Sequence, residues 1–347
     1  MNTIFIHHRS AHHAKNSGYS RLLDYFPNAK KIYGLESMSY KLAKTISRLS
    51  SKKAGLYDSS SVMKEYELYK SLQSAKKENV TIHYLNAERD IRYITKLYAG
   101  KKNFNFVGTF HRPPAILAQR IKNLNYLKQL DAAVTVGKNQ VAFLQEWLNI
   151  EQVEYIPHGV DVNFFRPLED SSSRSFKKML FVGKHLRDFD ILNKTIKALL
   201  PNKKDLYLDV VVGKSYTKFI EKHERVTFYS NLNDLELKRK YQEADLLLLP
   251  LKDATACNSI LEALACGKPI ITSNVGGIPE YLNKTDNILC PPNDADAFVA
   301  NSLELLYNDS KLSQLAIQSR EKSLDYAWDK VALQIESFHN KTISING

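Results

Sequence analysis

The chain has 347 residues, 44% hydrophobic and 25% charged, with three isolated cysteines. This excludes global disorder, a collagen-like repeat and a disulfide scaffold, and the length suggests two domains that each bury a core. The formal net charge of +12 lies wholly in the first half: residues 1–160 hold 24 Lys/Arg against 12 Asp/Glu, whereas residues 161–347 hold 25 of each. A one-sided basic excess attracts something anionic: nucleic acid, a lipid surface or a charged substrate.

In chain order, short β-branched or aromatic runs at Thr3–Ile6, Val80–Tyr84, Asn105–Val107 and Ala133–Val136 alternate with longer helical stretches. The stretch PHGVDVNFFRPLEDSSSRSFKK then passes from a Pro/Gly turn into a Ser-rich linker, placing a boundary near residues 160–175. Beyond it, Met179–Val182, Leu206–Val212, Val226–Tyr229, Asp245–Leu249 and Pro269–Thr272 read as buried strands. Their lack of alternation predicts parallel sheets covered on both faces. Residues 325–340 predict a final helix with Trp328, Val331, Leu333, Ile335 and Phe338 as its apolar residues. The expected organisation is α/β, with an N-terminal domain over 1–160, a second over 161–324 and a C-terminal helix over 325–347 packing back toward the first. Ligands of open α/β sheets gather at the C-terminal strand ends, so an interdomain active site is expected.

The densest motif is Leu261–Glu280, LEALACGKPIITSNVGGIPE. Gly267 reads as the residue ending a helix. Gly276 and Gly277 can adopt positive φ and expose backbone N–H groups beside a helix start, a plausible anion cradle without a lysine. Together with YIPHGVDVNFFRP (155–167), LFVG (180–183), DVVVG (209–213), YQEADLLLLP (241–250) and PPND (291–294), this motif resembles the retaining glycosyltransferases of family 4, glycosyl transferases group 1. The resemblance is strong from about residue 153 to 300 and architectural before that. It implies a GT-B fold of two Rossmann-like domains facing an interdomain cleft. It further implies transfer of a hexose, with retention, from a nucleotide-diphosphate sugar such as a UDP-sugar or GDP-mannose, without a cofactor or an obligatory metal.

The resemblance assigns Glu262 to the nucleotide ribose and the backbone of Gly276, Gly277 and Ile278 to donor phosphates or sugar. Glu280 is either a further donor contact or a capping carboxylate. Family members place a carboxylate eight residues before Glu262, where this chain has Ala254; Thr255, Asn258 and Ser259 are the polar donor-binding candidates there, with Asp253 one step out of register. Thr255 or Asp253 could instead cap a helix. The family's diphosphate clamp, Arg then Lys, is replaced by Lys184 and Arg187 in VGKHLRDFD, with Asp188 and Asp190 as capping or surface residues. On the acceptor side, Gly18 resembles the glycine loop near the transferred group, and His111, fixed before Pro113–Pro114, is the sharpest histidine, with Arg112 beside it and His158 as a hinge residue. His7, His8, His12 and His13 leave metal binding, polar contacts and a surface patch all open.

The implied function is cell-surface polysaccharide or glycolipid synthesis, with a glycan or lipid-linked acceptor; the alternative is a non-catalytic sugar- or nucleotide-sugar-binding protein of the same fold. KLAKTISRLSSKK (41–53) reads as a basic amphipathic patch that could lie on an anionic leaflet or be an ordinary solvated face. No nucleic-acid-binding module is recognised. Neither a secretory signal nor a membrane span is found, and the cysteine usage suits a reducing compartment. The location expected is the cytoplasm, with peripheral attachment to the membrane's cytoplasmic face.

Overall fold

A computed structural model describes residues 2–7, 16, 18–34, 38–54, 56–74, 79–168 and 174–346. His8, His12 and His13 lie outside these residues. The chain forms two compact units, one of Met1–His13, Tyr19–His158 and Trp328–Gly347, the other of Ala14–Gly18 and Gly159–Ala327.

The first unit is built on six parallel strands: β1 (Asn2–Ile6), β2 (Lys30–Ile32), β3 (Val80–Tyr84), β4 (Phe104–Phe110), β5 (Ala132–Thr135) and β6 (Val153–Tyr155). Their order is β2-β1-β3-β4-β5-β6, so the chain reverses direction of growth between β1 and β3. Every residue of β3 and β4 is buried, as unalternating apolar runs require when both faces are covered. The edge strands β2 and β6, three residues each, are too short to carry a readable period.

The core of this unit holds charge. Lys64 and Asp90 are both fully buried, with Nζ 2.8 Å from Oδ2, and Ser61 Oγ donates to Asp90 Oδ1 at 2.8 Å. Gly34, at φ +73°, lies against Lys64, where a Cβ would meet Cγ at 2.9 Å. Next to Lys64, Glu65 accepts the Tyr57 hydroxyl at 2.7 Å and the amides of Arg92 and Ile94 at 2.9 and 3.2 Å.

The final helix runs Trp328–Asn346 after a short 3-10 turn at Leu324–Tyr326. It starts later than residue 325 and runs past residue 340. Trp328, Val331, Ile335 and Phe338 are buried, but Leu333 is 65% exposed. Leu333 falls off the i, i+3, i+4 stripe, which His339 and Thr342 continue instead. His339 Nε2 lies 2.9 Å from His83 Nδ1, and His83 Nε2 lies 2.7 Å from Thr109 Oγ1. Asn105 Nδ2 donates to Thr342 Oγ1 at 2.8 Å. These bonds tie the helix to β3 and β4.

The second unit repeats the plan with β7 (Lys177–Val182), β8 (Leu206–Val211), β9 (Val226–Tyr229), β10 (Leu246–Leu249), β11 (Ile270–Ser273) and β12 (Ile288–Cys290). All pair in parallel in the order β12-β11-β10-β7-β8-β9. Growth reverses between β7 and β10. That reversal opens a crevice at the C-terminal ends of these two strands, where open α/β sheets bind ligands.

Candidate active site

Three loops meet at that crevice, following β7, β10 and β11. They are stitched through their backbones. Asp188 N–H donates to the Pro250 carbonyl at 3.0 Å, Lys252 N–H to Leu186 at 2.9 Å, and Gly277 N–H to Ala254 at 3.0 Å. Ser273 Oγ accepts Leu251 N–H at 2.9 Å.

Arg187 is held inside this assembly. Its Nε donates to the Val182 carbonyl at 2.8 Å, Nη1 to His185 at 3.1 Å and Nη2 to Ser259 Oγ at 3.0 Å. The guanidinium lies against Gly183, where a Cβ would approach Nη2 to 2.8 Å and where φ is +89°. Lys184 is exposed, its Nζ 5.2 Å above the Tyr216 ring. Asp188 caps the helix Phe189–Leu199, accepting the amides of Asp190 and Ile191 at 3.1 and 3.2 Å.

The helix Asn258–Ala265 carries the polar candidates. Ser259 and Glu262 are buried along it, Asn258 is half-buried at its first turn, and Thr255 is buried in the loop before it. Cys257 occupies the cap position, so neither Thr255 nor Asp253 caps this helix. Asp253 Oδ1 instead accepts the Ala254 amide at 2.7 Å, and burial raises its carboxyl pKa. Glu262 Oε2 accepts the hydroxyl of Tyr241 at 2.8 Å.

The glycine loop differs from the expected cradle. Gly276 has φ +54°, and a Cβ there would run into the Ala254 carbonyl and come within 2.7 Å of Asp253 Oδ1. Close packing is therefore one reason for this glycine. The Gly277 amide is taken by Ala254, and the Ile278 amide by Val275 at 3.1 Å. The helix that follows, Ile278–Tyr281, is four residues long, too short to aim a useful dipole at an anion. Of the three amides assigned to a donor, those of Gly277 and Ile278 already serve the loop. Glu280 Oε1 accepts Asn283 Nδ2 at 3.1 Å.

In the first unit, the reversal between β1 and β3 places Leu85–Glu88 beside His111, which follows β4. The His111 ring Nε2 lies 2.7 Å from the Leu85 carbonyl, and its amide donates to Glu88 Oε1 at 3.0 Å. A carbonyl can only accept, so this contact puts a proton on Nε2. Tyr19 lies edge-on to His111 and His158, with centroids 4.7 and 5.2 Å away, and Trp328 closes the cluster. Gly18, just before Tyr19, has φ +99°. Arg112 is half-buried, and its carbonyl accepts Gln140 Nε2 at 2.9 Å.

Glu88 is 3% exposed, and its Oε2 has no hydrogen-bond partner among the described residues. Burial pushes its carboxyl pKa up to about 7. A carboxyl raised in the folded state contributes stability that is fully present below its unfolded pKa and lost as pH rises through about 7. Glu88→Gln keeps an acceptor for the His111 amide and removes the titration. Its melting temperature relative to the parent is expected to rise steadily from pH 5 to pH 8; a pH-independent difference would exclude Glu88 as the titrating group.

Residues 176–308 match the family described as "Glycosyl transferases group 1". That segment contains the crevice loops after β7, β10 and β11. Through it, this part of the chain resembles the group 1 glycosyltransferases. The chain is 26% identical over 211 residues to an MMP alpha-(1->4)-mannosyltransferase of Mycolicibacterium hassiacum, covering 56% of this chain and 49% of that protein. It is 23% identical over 221 residues to a D-inositol 3-phosphate glycosyltransferase of Corynebacterium glutamicum, covering 56% and 53%. The chain thus spans about half the length of these curated relatives. Among solved structures, sucrose-phosphate synthase from Thermosynechococcus elongatus superposes with a TM-score of 0.72 at 17% identity, covering 99% of this chain and 100% of that one. The fold is GT-B, with two Rossmann-like domains.

Two residues beside these sites escaped sequence reasoning. Tyr241 sits in YQEADLLLLP, where its position at a helix end suggests only core packing. Glu88 sits in NAERD, between a strand and a four-residue helix, with no spacing that marks it. Among the described residues, no three His, Cys, Asp or Glu side chains gather as metal ligands.

Proposed function

We propose that the protein is a retaining hexosyltransferase that takes a nucleotide-diphosphate sugar and glycosylates a glycan, glycolipid or lipid-linked acceptor. The observation that carries this reading is the crevice at β7 and β10. It lies inside the family-matched segment: Lys184 and Arg187 stand on the loop after β7, Thr255 on the loop after β10, and Asn258, Ser259 and Glu262 on the helix that follows, with backbone bonds between the two loops and Arg187 bonded to Ser259. Lys184 and Arg187 would offset negative charge on the leaving diphosphate. Arg187 is held in place before a ligand arrives, while Lys184 is a mobile point charge. Glu262 would accept the ribose hydroxyls. The bond between the anomeric carbon and the phosphate oxygen breaks, and its electron pair leaves with the diphosphate. The acceptor oxygen bonds to the same carbon on the same face, and its proton passes to the departing phosphate oxygen. His111 would hydrogen-bond a sugar hydroxyl through its ring.

The test is a panel of UDP- and GDP-hexoses read by thermal protection, hydrolysis and transfer, with the anomeric configuration of product followed by NMR. One sugar is expected to protect and turn over with retention. Lys184→Ala and Glu262→Ala are each expected to lower turnover by about 100-fold, the scale of losing one charge-stabilising group. Inverted product would overturn the retaining assignment. Protection without turnover across broad acceptors would favour a non-catalytic binder.

A second reading concerns location, and rests on the helix Tyr40–Ala54. Tyr40, Leu42 and Leu49 are 61, 52 and 80% exposed, interleaved with exposed Lys41, Lys44 and Arg48. Exposed apolar side chains among cations suit an anionic lipid surface, where each cation contributes about 1 kcal/mol. No helix of the described residues is long and apolar enough to cross a membrane. Sedimentation with anionic vesicles at low salt, lost at high salt and in Lys41→Glu/Lys44→Glu/Arg48→Glu, is the expected result. No sedimentation at low salt would remove the membrane and leave an anionic glycan acceptor to explain the charge.

A further inference from the structure

Tyr241 lies in the last turn of the helix Asp234–Glu243, just before β10, and it is fully buried. Its ring stands edge-on to Phe165, with centroids 6.1 Å apart. Packing therefore accounts for the ring and leaves the hydroxyl unexplained. That hydroxyl donates to Glu262 Oε2 at 2.8 Å, and Glu262 is itself only 4% exposed. A carboxylate taken out of water at that depth must be satisfied by donors, and hydrogen bonds to a charged group are the stronger kind. Burial and the neighbouring carboxylate hold the phenol pKa well above its ordinary value, so the hydroxyl remains a donor at any working pH.

We infer that Tyr241 is a positioning residue for nucleotide recognition, fixing the Glu262 carboxylate so that it discriminates a ribose from a sugar lacking its hydroxyls. This rests on the ribose assignment of Glu262 made above. A carboxylate anchored through one oxygen directs its remaining lone pairs along a fixed line, and a diol is recognised by that direction as much as by charge.

The test compares binding of UDP with 2′,3′-dideoxy-UDP, and of GDP with its dideoxy counterpart, in the full chain by titration calorimetry. The parent protein is expected to prefer the ribonucleotide, and Glu262→Gln to lose most of that preference. Tyr241→Phe, which deletes one oxygen and keeps the ring, is expected to weaken the ribonucleotide by roughly tenfold, as for a hydrogen bond to a charged group. Dideoxynucleotide affinity should move by less than about twofold. In Tyr241→Phe/Glu262→Gln the two losses should overlap rather than add. Titrations run in the cold, with thermal unfolding in parallel, keep a less stable variant informative. A Tyr241→Phe variant that retains full ribose preference while Glu262→Gln loses it would overturn the inference and leave the Glu262 assignment standing. Equal weakening of both nucleotides would reduce Tyr241 to a structural role. A Glu262→Gln variant with undiminished preference would remove the ribose assignment itself.

Discussion

Under the proposed function, Gly276→Ala is expected to lower donor-dependent turnover by about 100-fold or more, on the scale of a displaced binding loop, while the first unit stays folded. Gly276 combines a left-handed φ of +54° with backbone packed where a Cβ would stand. Strain at such a φ and overpacking each cost on the order of 1–3 kcal/mol. The obstacle is the Ala254 carbonyl, which also accepts the Gly277 amide. The added methyl therefore pushes apart the loops after β10 and β11 at the bond that joins them. The measurement is nucleotide-sugar turnover beside thermal unfolding. A Gly276→Ala variant with parental donor affinity would show that contact between these loops is dispensable for binding.

Lys64→Met is expected to destabilise the first unit by about 3–5 kcal/mol, the cost of leaving a buried charge without its partner. Asp90 would keep the Ser61 hydroxyl at 2.8 Å and the Arg89 guanidinium at 3.9 Å but lose the closer ammonium, with no exposed surface of its own through which water could replace it. Removing both charges, as Lys64→Met/Asp90→Leu, is expected to recover much of the loss, since the pair's own net contribution is small once desolvation is counted. Denaturant unfolding of the parent, both single variants and the double gives the coupling directly. A Lys64→Met variant within about 1 kcal/mol of the parent would mean that Asp90 is protonated or relaxes to another donor.

Much of the architecture was legible because the central strands are continuous apolar runs; MLFV, LYLDVVV and DLLLL each lie within two residues of β7, β8 and β10. The edge strands β2, β6 and β12 were not, since three residues carry no period. Leu333 shows the limit of hydrophobicity alone: its angular position on the helix decides exposure, and two polar residues take the buried places instead. At the site, the side-chain candidates around Glu262 were legible from motif order. What the glycine amides do was not. Their hydrogen bonds depend on where the loop after β10 lies, and no residue near Gly276 encodes that. Tyr241 illustrates the same gap, because its partner stands 21 residues away and an apolar-looking context conceals a polar contact.

The bonds from the last helix to β3 and β4 also impose an order on synthesis. His83 meets His339 across 256 residues, and Asn105 meets Thr342 across 237. The residues between include the whole of Gly159–Ala327. On a ribosome, the second unit can close its core as soon as it emerges, because nearly all of it is continuous in the chain. The first unit begins earlier yet finishes later, since Trp328 and the helix behind it arrive only after the other unit is complete. Until then, the apolar surfaces that Trp328, Ile335 and Phe338 cover stay open to solvent, which makes the nascent first unit the stage most exposed to chaperones and to aggregation.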